Sequence, residues 1–154
     1  MKFADIRTRN MPGPTMNPGT LKRMIKQKQT KTKRSISKLI KELDIVVSRY
    51  VRRKAEKNGV VACYTCPHVG TVATMQCGHY ISRWYKAVRW ELDNLRPQCM
   101  MCNMWRNGNS VTFRENLVKD IGEPRVIELE ALRWKVFRRE PSWFEEQIFY
   151  FKSL

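Results

Sequence analysis

From Ser35 to Asn58 the apolar positions recur every three or four residues: Ile36, Leu39, Ile40, Leu43, Val47, Tyr50 and Val51. That spacing lays one apolar stripe along a 3.6-residue helix and predicts an amphipathic helix over 35–58. Ser35 or Ser37 suits its N-cap and Gly59 the position just past its end. Arg49, Arg52, Arg53, Lys54 and Lys57 gather in its last turns, where cations favour the helix dipole. Either a phosphate grip or a solvated face accounts for that cluster. Residues 1–34 carry no such period. Met11-Pro12-Gly13-Pro14 and Asn17-Pro18-Gly19 break helices, and Lys22 to Arg34 is a basic polar run. The segment reads as an arm, either a solvated tail or one that orders on DNA.

Beyond Gly59 the pattern shortens. Val60-Val61-Ala62 predicts a short strand, and Thr71 to Gln76 predicts a second that carries the chain to His79 as one arm of a hairpin. Residues 80–93 read as a loop with aromatic anchors Trp84, Tyr85 and Trp90 and cations Arg83, Lys86 and Arg89. A short helix is expected from about Cys102 to Gly108, a longer one from Val111 to Ile121 ending at Gly122. Another opens at Pro124, a favoured first helical residue, and runs to about Arg138. Ser142-Trp143-Phe144-Glu145 has capping-box spacing ahead of a last helix. That helix carries Trp143, Phe144, Ile148, Phe149, Tyr150 and Phe151, too many for one thin stripe. They pack against Leu129, Leu132 and Val136 or form the interface of a homodimer. The whole is an α+β chain divided into 1–34, 35–58, 59–109 and 110–154, and no internal repeat is visible.

Charge narrows the partner. The chain has 154 residues, with 30 Lys+Arg against 14 Asp+Glu and a formal net charge of +16. Residues 1–57 hold 17 of the cations and 4 of the anions, a net of +13, so the footprint for a polyanion lies toward the N-terminus. Nucleic acid is the commonest such partner. The candidate DNA contacts are Lys22, Arg23, Lys26, Lys33, Arg34, Arg49, Arg52, Arg53, Arg83, Arg89 and Arg106. No apolar run approaches the roughly 18 residues that span a bilayer, and no signal peptide is read at the N-terminus. A membrane partner is therefore not expected, and a cytoplasmic location is.

The chemistry lies between two cysteine pairs, Cys63/Cys66 and Cys99/Cys102, spaced Cys-x2-Cys-x32-Cys-x2-Cys. In a reducing compartment such pairs point to a metal rather than to disulfides, and four thiolates with no open position make a structural zinc site. Between the pairs stands Gly78-His79-Tyr80, with Asn94 before the second pair and Asn103 directly after it. Neutral His79 can take a proton from water through one ring nitrogen while a backbone carbonyl holds the other. The Asn103 amide is a hard oxygen ligand for Mg²⁺ or Mn²⁺, shared with His79, or else the N-cap of the short helix. Asn94 reads as an orienter of the His79 loop. His68 reads as an exposed turn residue and Cys77 as a buried free thiol. A lone histidine on a strand, followed by an asparagine against the second knuckle, is the arrangement of an HNH nuclease.

The run Gln76-Cys77-Gly78-His79-Tyr80-Ile81-Ser82-Arg83, then Asp93-Asn94-Leu95-Arg96-Pro97-Gln98-Cys99-x-x-Cys102-Asn103, then Arg106-x-Gly108-Asn109, resembles the NinG (Rap) recombination proteins of lambda-type phages. The resemblance runs from about Ser35 to about Leu132. It implies a zinc-bound HNH (ββα-metal) core and an endonuclease that cuts branched DNA such as Holliday junctions and D-loops in the host cytoplasm. One departure stands out. Many HNH enzymes carry an aspartate directly before the histidine, and some relatives carry one three residues before it. This chain has Gly78 and Gln76 there, so either Glu91, Asp93 or Glu115 supplies the carboxylate from elsewhere, or Asn103, His79 and DNA phosphate suffice. The competing readings are a non-catalytic zinc DNA-binding module and a sequence-specific homing or restriction nuclease, the latter disfavoured because no base-reading domain is apparent.

Overall fold

The computed structural model describes residues 34–154. The expected arm, with Lys22, Arg23, Lys26 and Lys33, lies outside the described residues. Helix α1 spans Ile36–Lys54, and Ser35 caps it by accepting the Lys38 N–H on its hydroxyl. Leu39, Leu43, Val46, Val47 and Val51 are its buried face. The helix stops short of Asn58, and Gly59 is not its cap. Asn58 (φ 51°) and Gly59 (φ 79°) are both left-handed and form a two-residue turn. Lys57 and Val60 exchange both backbone hydrogen bonds across it, at 2.8 and 3.1 Å. An Asn-Gly pair is the strongest short-range hairpin signal, and here it overrides the helix.

Strand β1 (Val61–Ala62) pairs antiparallel with β2 (Val69–Gly70), and the first cysteine knuckle lies between them. The expected strand over Thr71–Gln76 is mostly a turn. The Thr71 N–H donates to Thr74 Oγ1 at 2.9 Å, and the Thr74 and Met75 N–H groups donate back to the Thr71 carbonyl. Threonine hydroxyls that bond local backbone compete with strand pairing, and they win here. Strand β3 therefore begins only at Gln76 and runs Gln76–His79, antiparallel to β4 (Leu95–Gln98), with His79 opposite Leu95 and Gln76 opposite Gln98. Leu95 joins the main core on α1, and Cys77 packs against the same core.

Past the second knuckle, Met101–Trp105 is a π-helical turn. Helix α2 (Ser110–Ile121) ends at Gly122, whose φ of 81° only glycine adopts without strain. Helix α3 is Glu123–Leu132, with Pro124 in its first turn. It ends six residues before the expected Arg138, because the chain leaves to place Phe137 among Trp90, Trp143 and Phe144. Helix α4 spans Pro141–Ser153. Pro141 takes the first helical place and Glu140 is the N-cap without a side-chain bond, so the expected Ser142 capping box does not form.

The α4 aromatics pack largely within the chain. Phe144, Ile148 and Phe151 are buried against α1 together with Trp90, while Val136 is exposed and Leu129 and Leu132 belong to a separate cluster. The apolar surface offered as a dimer interface is thus largely covered within the chain. Arg34, expected on DNA, ties the two helices instead by pairing with Glu42 at 2.6 Å and Glu145 at 2.8 Å.

Candidate metal centre and its histidine hairpin

The four sulfurs of Cys63, Cys66, Cys99 and Cys102 lie within 4.8 Å of one another. A tetrahedral Zn²⁺ with bonds of about 2.3 Å needs sulfurs roughly 3.8 Å apart. Cys66 Sγ and Cys99 Sγ are 3.7 Å apart, so the cluster could hold a metal such as zinc. Backbone N–H groups aim at the sulfurs, Cys99 N to Cys63 Sγ at 3.3 Å and Cys102 N to Cys99 Sγ at 3.4 Å. Burial opposes a thiolate at Cys63, yet hydrogen bonds from the Cys99 and Thr65 amides and the Cys66 and Thr65 side chains together outweigh it and bring its pKa down to about 7.

The knuckles are locked to the β3–β4 hairpin by a residue that sequence reasoning missed. Gln98 is fully buried, and its Nε2 donates to Thr65 Oγ1 at 2.8 Å and to the Gly108 carbonyl at 2.7 Å. Its side chain lies directly over Gly78, where a Cβ would come 2.1 Å from Gln98 Oε1. Asn109 completes the lock by donating to the Thr65 carbonyl at 3.0 Å. The available signal was a glycine in a strand, which marks a close approach.

On the other face of β3, burial lowers the His79 pKa below its ordinary value, against the pull of the Arg89 carbonyl and Asp44. His79 Nε2 lies 3.2 Å from that carbonyl. A carbonyl only accepts, so Nε2 carries the proton and Nδ1 keeps its lone pair. The Arg89 guanidinium is fixed in turn by Asp44, at 2.9 Å to Oδ1 and 2.6 Å to Oδ2, and Trp90 Nε1 donates to the same carboxylate at 2.9 Å. Asp44 was also missed. Its signal was a carboxylate interrupting the α1 stripe between Ile40 and Val47. Asn94 is fully buried and brackets the loop after His79: its Oδ1 accepts the Ile81 N–H at 2.7 Å, and its Nδ2 donates to the carbonyls of Ile81 at 3.0 Å and Val88 at 2.9 Å.

Asn103 sits inside the π-helical turn, its N–H donating to the Cys99 carbonyl, so it is not an N-cap. Its Nδ2 donates to Gln76 Oε1 at 2.6 Å. The structure therefore bonds Asn103 to Gln76, and strand alternation puts Gln76 and Gly78 on one face of β3 and Cys77 and His79 on the other. The side-chain partner of Asn103 among the described residues is thus the Gln76 amide. Both side chains are uncharged, and the Gln76 oxygen already accepts the Asn103 Nδ2–H. The candidate carboxylates stand elsewhere. Glu91 and Asp93 bind Arg125 at 3.5 and 2.7 Å, and Glu115 is exposed on α2.

Of the described candidate DNA contacts, Arg89 is held by Asp44, and Arg52 donates to the carbonyls of Ser48, Val72 and Met75 as a structural bracket. Arg49, Arg53, Arg83 and Arg106 are exposed, without an ion-pair partner among the described residues. Burial pushes the half-buried Cys77 thiol up to about 12, so it is inert at neutral pH. His68 is exposed. Among the described residues no helix is long and apolar enough to cross a membrane.

A family model described as Bacteriophage Lambda NinG protein matches residues 18–140. The chain is 31% identical over 104 residues to the protein ninG of Escherichia phage 933W, covering 63% of this chain and 49% of that protein. It is 30% identical over 95 residues to the protein ninG of Escherichia phage lambda, covering 60% and 44%. The chain thus spans about half the length of the relatives it matches. No solved structure matches it.

Proposed function

The chain belongs to the NinG family, and from that premise we propose that it is an HNH-type, metal-dependent endonuclease acting on branched DNA, with a structural zinc in the four-cysteine cluster. The observation that carries this reading is the state of His79. Burial keeps the ring neutral, and the Arg89 carbonyl takes its Nε2–H, so Nδ1 is free to act as a general base. In the proposed step Nδ1 accepts a proton from water as the water oxygen attacks phosphorus and the bond to the 3′ oxygen breaks. Asp44 fixes the tautomer indirectly by holding the residue whose carbonyl receives the other proton. Asn94 holds the loop that returns to that carbonyl. Asn103, with DNA phosphate as the anionic partner, would hold the divalent ion, Mg²⁺ or Mn²⁺, which when bound would neutralise charge on the phosphate and the leaving oxygen.

Exposed Arg49, Arg53, Arg83 and Arg106 supply phosphate contacts, which give affinity and little base reading. Symmetric cutting of a four-way junction requires two sites related by a two-fold axis, so the assembly on such DNA is a homodimer. One observation favours a second reading. The Gln76–Asn103 pair lacks a carboxylate, as a zinc DNA-binding module without cleavage would.

A nicking assay on a four-way junction with Mg²⁺ or Mn²⁺ separates the two. Wild type should cut, while His79→Ala should bind equally well and lose cleavage. Cleavage that persists within a few-fold in His79→Ala removes the nuclease mechanism. An inactive wild type that still binds junctions favours the binding module.

A further inference from the structure

The loop that follows His79 carries two tryptophans with opposite fates. Trp90 is 3% exposed and belongs to the main core. Trp84 is 86% exposed and makes no ring contact among the described residues. Trp134, also on the surface at 69%, differs because Arg133 lies 4.7 Å over its ring and Tyr85 meets it at 5.6 Å. Only Trp84 offers an uncovered indole face on this loop.

Its backbone is held on both sides. The Trp84 N–H donates to Ser82 Oγ at 3.4 Å, the Arg83 carbonyl accepts from Arg89 Nη1 at 3.0 Å, and the Tyr85 N–H donates to the Ser82 carbonyl at 3.0 Å. Arg89 is the residue whose carbonyl also meets His79, so Trp84 and the histidine are positioned by one side chain and its own backbone. Arg83 and Lys86, on either side of Trp84 in the chain, are exposed.

We propose that Trp84 is a base-stacking residue that receives an unpaired nucleobase of DNA on the loop following His79, making it the element that selects branched over continuous duplex. This rests on the endonuclease reading and names how its substrate is recognised. An aromatic face beside cations is the chemistry of single-strand binding, tolerant of sequence because every base has a π-face. Within a duplex those faces are covered by neighbouring pairs. A base at a branch point or flap exposes one, and Arg83 and Lys86 are placed to take the phosphates on either side. An acidic protein partner would use the cations but would have no requirement for the flat indole.

The test uses a three-way junction carrying 2-aminopurine unpaired at the branch and a continuous duplex of the same length. These are titrated with the full chain, Trp84→Ala and Trp84→Phe. Stacking on the wild-type indole should quench the 2-aminopurine. Trp84→Ala should lose that quenching and bind the junction roughly 5- to 150-fold more weakly. Duplex affinity, set by phosphate contacts, should stay within about twofold. Trp84→Phe should recover most of the junction affinity. Equal loss on both DNAs, or undiminished quenching in Trp84→Ala, overturns the proposal. So does a wild type with no preference for the junction. Because the readout is binding, a wild type that prefers the junction through Trp84 yet does not cut it refutes the nuclease mechanism and leaves the stacking role standing.

Discussion

Replacing Gly78 by alanine adds one methyl group, and the structure says it has nowhere to go. The new Cβ would lie 2.1 Å from Gln98 Oε1, 2.7 Å from Cδ and 2.8 Å from Cγ. The backbone is not the obstacle, since Gly78 is an ordinary strand residue without a positive φ. Gln98 must therefore move, and it is fully buried with its amide nitrogen bonded to Thr65 and Gly108. Overpacking a filled interior costs about 1–3 kcal/mol. Each lost buried hydrogen bond adds about 1 kcal/mol. The sum, roughly 3–5 kcal/mol, should lower the Tm by about 6–20 °C in a protein of this size. The assay is thermal or urea denaturation of the zinc-loaded protein, with metal release followed in parallel, because both Gln98 partners adjoin the knuckles. Gly78→Ala melting within about 1 kcal/mol of wild type would refute the account of the lock.

Three further outcomes follow from the geometry. One zinc per chain should be found by mass spectrometry, and Cys99→Ser should lose the metal and melt far lower, since binding energy in a closed site is folding energy; an unchanged melt sinks that claim. Truncation after Glu140 strips Phe144, Ile148 and Phe151 from the core, about 5–9 kcal/mol of apolar burial, so the product should lose its fold rather than persist as a soluble, native-like monomer in circular dichroism and light scattering. The His79 pKa is lowered in the folded state, so as pH falls below about 6.5 the unfolded chain binds a proton first and stability drops. Urea midpoints at pH 7.5, 6 and 5 should show this, and His79→Gln should flatten the trend; an identical trend in His79→Gln assigns it to other groups.

Much of this arrangement can be read from residue order, for identifiable reasons. The α1 stripe and the paired cysteines are local patterns, and local patterns survive folding. Asn94 was legible because a buried amide next to a cysteine knuckle has few other uses. Tertiary partners were not. Arg52 and Arg89 look like phosphate ligands in sequence, and only the approach of the Val72 and Met75 carbonyls and of Asp44 shows them to be internal. Pairing between strands decided Gln76, which alternation directs to Asn103 and away from His79. Asn58-Gly59 is ambiguous in sequence, since a helix C-cap and a two-residue turn draw on the same left-handed glycine.

The ion pair between Arg34 and Glu145 joins positions 111 residues apart, and α1 and α4 meet along that same contact. During synthesis at about 5–20 residues per second, α1 emerges and waits roughly 6–22 s before its covering helix exists. Through that interval Leu39, Leu43 and Val47 are without their main partner, while the cysteine knuckles can already close. The cysteine cluster is therefore positioned to fold first and the helical pair last. Proteolysis of chains stalled before residue 141 should find the cysteine region protected and α1 cut, and an α1 already resistant at that length would reverse the order.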